Sequence, residues 1–171
     1  GDLLIKNFDP KLIKTELNVL KKVGAKIKLF KNSIHVKGPE KIKSIRNITT
    51  KEYPGFPTDL APQFMVLLCK ASGTSSITEN IFQGRFLHAM ELQRLGAKIT
   101  IKNRTAKIEG NKNFIAAEVM SSDLRASAAL VLAGIVSKGN TVVTRVYHCD
   151  RGYENFENKL KKIGVKIKRL K

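Results

Sequence analysis

The side chains best placed for chemistry in this chain are two aspartates and three arginines. Asp59 stands in Thr58-Asp59-Leu60 and Asp123 in Ser122-Asp123-Leu124; an arginine follows them 26 and 28 positions later, at Arg85 and Arg151. Arg125 lies two residues beyond Asp123. A guanidinium grips phosphate or carboxylate with a bidentate fork, and free N–H groups at a helix start favour anions. A carboxylate held among such groups can act as a general base where its geometry and pKa allow. These residues point to an anion-binding face with one or two acids in it. A plainer role stays open for each. A hydroxyl at Thr58 or Ser122 fits a helix N-cap and an acid after it fits the first turn; an arginine most often ends in a surface ion pair. The pattern by itself names no substrate.

The elements that must position these residues are written as a repeat. Leu20-Lys21-Lys22-Val23-Gly24-Ala25-Lys26-Ile27 returns as Leu92-Gln93-Arg94-Leu95-Gly96-Ala97-Lys98-Ile99 and as Leu160-Lys161-Lys162-Ile163-Gly164-Val165-Lys166-Ile167, with glycines 72 and then 68 residues apart. An amphipathic helix precedes each glycine, shown by Ile13, Leu17 and Leu20 and again by Phe156, Leu160 and Ile163. The glycine ends the helix in the left-handed conformation and a strand follows. Residues 25–30 and 33–37 read as a hairpin about Lys31-Asn32, and residues 97–102 with 106–109 as its copy. Two further helices, from Thr58 and Ser122, are apolar on nearly every side and are expected to be buried. The unit is helix, strand, helix, strand, strand, with the first copy incomplete. The expectation is an α/β (α+β) chain forming one domain over 1–171, with repeats of about 1–50, 51–115 and 116–171. Packed around a pseudo-threefold axis, these would gather the helix starts, both aspartates and the arginines on one face.

Composition narrows the classes. The 171 residues are 42% hydrophobic and 27% charged, the balance of a folded domain. The longest apolar stretch, from Ala126 to Val136, falls short of the roughly 20 residues of a spanning helix. The opening Gly1-Asp2-Leu3-Leu4-Ile5-Lys6 has no signal or transit pattern, so the expected compartment is the cytoplasm. A net charge of +18 raises nucleic acid as a partner, but the lysines alternate with apolar residues, as in Lys26-Ile27-Lys28, and read as the wet faces of strands. With 6% aromatic residues there is no stacking platform, and no specific nucleic-acid site is expected. Cys69 and Cys149 are expected to be reduced. His148-Cys149-Asp150, read as extended, cannot turn all three side chains to one metal ion.

Four long segments carry a resemblance. They are Tyr53-Pro54-Gly55-Phe56-Pro57-Thr58-Asp59-Leu60, Ile77-Thr78-Glu79-Asn80-Ile81-Phe82 with Arg85-Phe86-Leu87-His88, Ser122-Asp123-Leu124-Arg125-Ala126-Ser127-Ala128, and Tyr147-His148 with Asp150-Arg151-Gly152-Tyr153-Glu154. In order, and over essentially the whole chain, they resemble the C-terminal half of the UDP-N-acetylglucosamine 1-carboxyvinyltransferases, a family of enolpyruvyl transferases. The resemblance implies half of an inside-out α/β barrel. It implies transfer of enolpyruvyl from phosphoenolpyruvate to the 3'-hydroxyl of UDP-N-acetylglucosamine, through a tetrahedral intermediate, in peptidoglycan synthesis and hence cell-wall biogenesis, cell shape, cell cycle and division. No metal or organic cofactor is implied.

Carried over by residue, Asp59 resembles the family's base and sugar-hydroxyl contact, and Ile81 its backbone contact to the nucleotide sugar. Arg151 matches the arginine that meets phosphoenolpyruvate, while Arg85, Arg125 and Asp123 match further active-site positions. Gln83-Gly84 departs from the family's Glu-Asn, removing a carboxylate and an amide beside Arg85. Cys149 replaces an apolar residue and is not the family's reactive cysteine, which lies on a loop of an N-terminal domain. That domain is the implied partner, and without it the chain is expected to be inactive and to self-associate through the face left open. The alternatives are a catalytically silent nucleotide-sugar-binding module and the shikimate-pathway enolpyruvyl transferase, whose Asn-Asp-His-Arg segment is absent here.

Overall fold

Alternating apolar and polar residues build the first sheet of the computed structural model, which describes residues 1–110 and 113–170. Asp2–Lys6 (β1) and Lys26–Phe30 (β2) flank Ser33–Lys37 (β3), all antiparallel. Between β1 and β2 the chain forms a helix, Lys14–Lys22 (α1), led in by a 3-10 turn. That turn begins with Pro10 and is capped by Asp9, which accepts from the Lys11 N–H at 2.9 Å. Glu16 in the first turn of α1 and Lys21 and Lys22 in the last complement the helix dipole. Leu17 on its inner face is buried. Gly24 then takes a φ of +107°, a conformation open to glycine, and β2 follows. Gly96 and Gly164 take φ values of +94° and +90°, so the helix stops read from the repeated sequence are the observed ones.

A short strand, Ile48–Thr49 (β4), leads through a 3-10 turn at Thr58–Leu60 into the helix Ala61–Cys69 (α2). Next come Thr74–Thr78 (β5), Leu87–Arg94 (α3), Lys98–Lys102 (β6) and Thr105–Glu109 (β7), giving a sheet of order β4-β5-β7-β6. The remaining elements are Glu118–Met120 (β8), Leu124–Ile135 (α4), Val142–Thr144 (β9), Tyr147–Asp150 (α5) and Phe156–Lys162 (α6). β8 and β9 pair in parallel, as do β4 and β5.

Helices α2 and α4 pack on each other at the centre. Met65, Leu68 and Cys69 from α2 and Ala129, Leu130 and Ala133 from α4 are fully buried, with Ile77, Ala106 and Ile108 of the sheet beneath them. The all-apolar pattern is thus explained for α2. For α4 it holds only in part, because Ile135 and Val136 at its end are 39% and 44% exposed. The first sheet departs from expectation as well. Ile34 is buried, but Leu3, Ile5 and Leu29 are 40–54% exposed, since among the described residues no helix equivalent to α2 lies over them. After α6 no strand is assigned among the described residues. His148-Cys149-Asp150 forms a helical turn rather than an extended segment, because Gly152 and Tyr153 both donate back to the Cys149 carbonyl.

Truncating a side chain in the α2–α4 contact leaves a cavity that the two helices cannot close. Leu130→Ala should cost about 2–5 kcal/mol in urea unfolding, whereas Leu12→Ala, at a position 61% exposed, should stay within about 0.5 kcal/mol.

Candidate functional site

The α2–α4 contact sets two helix starts side by side, and the charged residues gather there. Asp59 sits in the turn before α2. Its Oδ1 accepts from Arg85 Nη1 at 3.1 Å and from Arg125 Nη1 at 3.3 Å. Arg125 also donates from Nε to Asp123 Oδ1 at 3.0 Å. The four residues form one chain, Arg85, Asp59, Arg125, Asp123. The Asp59 side chain is nevertheless 71% exposed, and its Oδ2 takes no hydrogen bond among the described residues. One carboxylate oxygen is therefore fixed and the other is open.

Asp123 is itself the N-cap of α4. Its Oδ1 accepts from the N–H groups of Arg125 at 2.9 Å and Ala126 at 3.2 Å. That corrects the expectation that Ser122 caps the helix: Ser122 instead donates its hydroxyl to Asp123 Oδ2. Burial pushes the Asp123 carboxyl up, but the Arg125 guanidinium and the two amides outweigh it and hold the group below its ordinary 3.8. Burial likewise pulls on Arg125, and the Asp123 and Asp59 carboxylates more than offset it.

Thr58 does not cap α2 either. Its hydroxyl donates to Glu79 Oε2 at 2.6 Å, because Glu79 is 2% exposed and collects every donor in reach. The Thr50 hydroxyl donates to Glu79 Oε1 at 2.8 Å, with the N–H groups of Ile81 at 2.7 Å and Phe82 at 3.0 Å. Burial drives this carboxyl up, and four hydrogen bonds together hold it below 4.5. Glu79 so fixes the loop that carries Ile81 and Phe82, and the Phe82 ring lies 3.8 Å beneath the Arg85 guanidinium. Arg85 is thus positioned without a carboxylate at residue 83, and Gly84 takes a φ of +69° that suits glycine.

A cavity of about 120 Å³ lies among Thr58, Glu79, Arg85, His88, Asp123 and Arg125. His88 is 4% exposed and its Nε2, also buried, has no partner among the described residues. Burial drives its pKa down to about 4; Asp123 pulls the other way and Arg125 adds to the fall. Arg151 stays outside the chain of ion pairs. It follows α5, exposed, on a turn that abuts both helix starts: Gly152 packs on Leu124, and Tyr153 Oη accepts from Gln63 Nε2 of α2 at 3.2 Å. The structure therefore joins Asp59, Asp123, Arg85 and Arg125, places Ile81 on the loop beside them, and leaves Arg151 at the rim. Glu79 and His88 are site residues that residue pattern alone did not single out. The signal for His88 was present, since it shares its helix face with Leu92 and Leu95. Among the described residues no three His, Cys, Asp or Glu side chains cluster to hold a metal, and no helix is long and apolar enough to cross a membrane.

Two pH windows follow. His88 binds a proton near 6.5 when unfolded and near 4 when folded, so the unfolded state holds more protons between those values and stability falls as pH drops through them. Urea midpoints of His88→Gln should be flatter than those of the parent across that window. Glu79, whose pKa is depressed by folding, stabilises above 4.5 and loses its contribution as pH falls through the folded value. Glu79→Gln should destabilise the chain near neutral pH, and by progressively less below about 4.5.

Comparison with known proteins bears on the family and the fold. The profile of the EPSP synthase (3-phosphoshikimate 1-carboxyvinyltransferase) family matches residues 1–160. The UDP-N-acetylglucosamine 1-carboxyvinyltransferase of Pelagibacter ubique is 59% identical over 170 residues, which are 99% of this chain and 40% of that one. The protein of the same name from Desulfosudis oleivorans is 51% identical over the same shares. Among solved structures, the enolpyruvyl transferase NikO from Streptomyces tendae superposes with a TM-score of 0.90 at 23% identity, over 98% of this chain and 40% of that one. EPSP synthase from Acinetobacter baumannii superposes at 0.73 with 16% identity, over 99% and 40%. At such identities the two structures speak for the mixed α/β fold alone. The chain spans about 40% of the length of the curated relatives it matches. From a profile that covers residues 1–160, the chain belongs to the EPSP synthase family of carboxyvinyl transferases.

Proposed function

We propose that this chain is part of an enzyme that transfers the enolpyruvyl group of phosphoenolpyruvate to the 3'-hydroxyl of UDP-N-acetylglucosamine, in cytoplasmic peptidoglycan synthesis. The observation that carries this reading is the state of Asp59, whose Oδ1 is held by two arginines and whose Oδ2 faces outward. A base needs that combination of fixed direction and free acceptor. In this reading Asp59 takes the hydroxyl proton through Oδ2 as the sugar oxygen bonds to the phosphate-bearing vinyl carbon. The electron pair of the double bond takes a proton from solvent at the methylene carbon, which gives a tetrahedral intermediate. Loss of a proton from that carbon then re-forms the double bond as the carbon–oxygen bond to phosphate breaks and inorganic phosphate leaves. Arg85 and Arg125 balance the substrates' negative charge, Asp123 aims Arg125, Arg151 meets phosphoenolpyruvate, and the backbone of Ile81 meets the nucleotide sugar. Charge stabilisation by preset arginines is a large term in such reactions.

The choice of acceptor sugar rests on relatives 45–59% identical that carry that name. The matching profile is named for the shikimate-pathway enzyme, which is the alternative acceptor chemistry. Half of an inside-out barrel built from three repeats is the architecture we infer. In its favour, the order β1-β3-β2 recurs as β5-β7-β6, and the parallel pair β4 and β5 recurs as β8 and β9. The other wall of the site, with its reactive cysteine loop, belongs in this reading to the 60% of the relatives' length that this chain does not match.

The 171 residues alone should therefore release no phosphate from the two substrates, and calorimetry should show whether they retain weak nucleotide-sugar binding. Grafted into the Pelagibacter ubique relative in place of its matching 40%, they should support phosphate release. In that graft Asp59→Asn should lower kcat by about 10²–10⁴-fold; an unchanged kcat would remove Asp59 as the base.

A further inference from the structure

The Arg151 side chain makes no hydrogen bond or ion pair among the described residues, although the residue before it is an acid. The carboxylate of Asp150 is engaged elsewhere. Arg169, in the segment after α6, donates from Nη1 to Asp150 Oδ1 at 2.9 Å and from Nη2 to Oδ2. This is the two-pronged geometry that makes an arginine–carboxylate pair directional. Arg169 Nη1 also lies 3.7 Å from Glu157 Oε1 on α6. A single guanidinium thus ties the segment after α6 to both α5 and α6. On the opposite side the same turn rests on α4 through Gly152, where a Cβ would come within 2.8 Å of Leu124 Cδ2.

This arrangement settles which cation the acid pairs with. Were Arg169 absent, a carboxylate one residue from Arg151 would be free to turn toward it and to compete with any incoming anion. A carboxyl with an ordinary value of 3.8 is charged at neutral pH with or without the Arg169 hydrogen bond that holds Asp150 lower still, so without Arg169 it would compete. The other acids of this region are Glu154, paired with Lys159 at 3.3 Å, and Glu157, which shares Arg169 with Asp150 at the longer distance of 3.7 Å.

We propose that Arg169 is a positioning residue for Arg151: by occupying both carboxylate oxygens of Asp150 it keeps that acid off its neighbour and leaves the Arg151 guanidinium open to an anionic substrate. The proposal rests on the reading of Arg151 given above, and the two are separable by experiment. In the 171-residue chain, ¹⁵N relaxation of the arginine Nε–H groups should show Arg151 mobile in the parent, ordered in Arg169→Ala, and mobile again in Arg169→Ala/Asp150→Asn. In the active graft, Arg169→Ala should raise KM for phosphoenolpyruvate about fivefold, the scale of an exposed ion pair, with kcat within about twofold. The added Asp150→Asn should return KM to within about twofold of the parent. A merely structural Arg169 would move folding stability in both variants alike and give no rescue, which overturns the proposal. Arg151 dynamics unchanged by Arg169→Ala overturns it too. A graft that releases no phosphate would instead sink the enzymatic reading, and the relaxation measurement still decides the positioning role.

Discussion

The contact between α2 and α4 is the constraint from which the rest follows. Both helices bury small and branched apolar residues against each other and against the sheet, and they run so that their N-terminal ends emerge at one place. Asp59 precedes one helix and Asp123 caps the other. Their separation in sequence is large, yet a single arginine, Arg125, reaches both carboxylates. Had the helices packed on opposite faces of a sheet, the same residues would have made two unrelated caps. Apolar packing at the centre thus decides the electrostatics at the rim.

Glu79 shows the same dependence from the polar side. A buried carboxylate without partners is costly, and each donor supplied offsets part of that cost. Here two threonine hydroxyls from separate parts of the chain and two consecutive amides serve it. The price is conformational freedom in three segments at once: the strand around Thr50, the turn at Thr58 and the loop of Ile81. The turn and the loop carry the candidate sugar contacts, Asp59 and Ile81. The acid that binds them together need never touch a substrate to matter.

Helices, hairpins and stops were legible because they are local. Gly24, Gly96 and Gly164 announce themselves by repeating after an amphipathic pattern, and their positive φ values answer that pattern directly. The gathering of Asp59, Asp123, Arg85 and Arg125 was legible only through the repeat in the sequence, and the same expectation put Arg151 among them, where the structure leaves it outside the ion pairs. Capping was misjudged for an instructive reason. Thr58 and Ser122 look alike in sequence, but a buried acid 21 residues away outcompetes the helix for the Thr58 hydroxyl. At the other helix the stronger acceptor, Asp123, takes the amides itself. No local pattern reports Glu79, since its donors at 50 and 58 lie far off in sequence. The pair of Arg169 with Asp150 is equally hidden from local pattern, because the partners are 19 residues apart and the segment bearing Arg169 forms no regular element.

The resting pattern of charge also bears on how the site would work. Arg85 and Arg125 both donate to one oxygen of Asp59, so the cations and the acid already satisfy one another before any ligand arrives. An anion entering here would draw the two guanidiniums toward itself and loosen their hold on Asp59. Such an exchange is cheap only where water still screens the charges. It becomes directional once the site is closed and the local dielectric falls. Asp59 is 71% exposed, so among the described residues nothing around it supplies that closure. On the proposed reading, the pairing of Asp59 with two arginines is a holding state. A second wall would convert it into a reacting one by excluding water while the substrates take over the arginines.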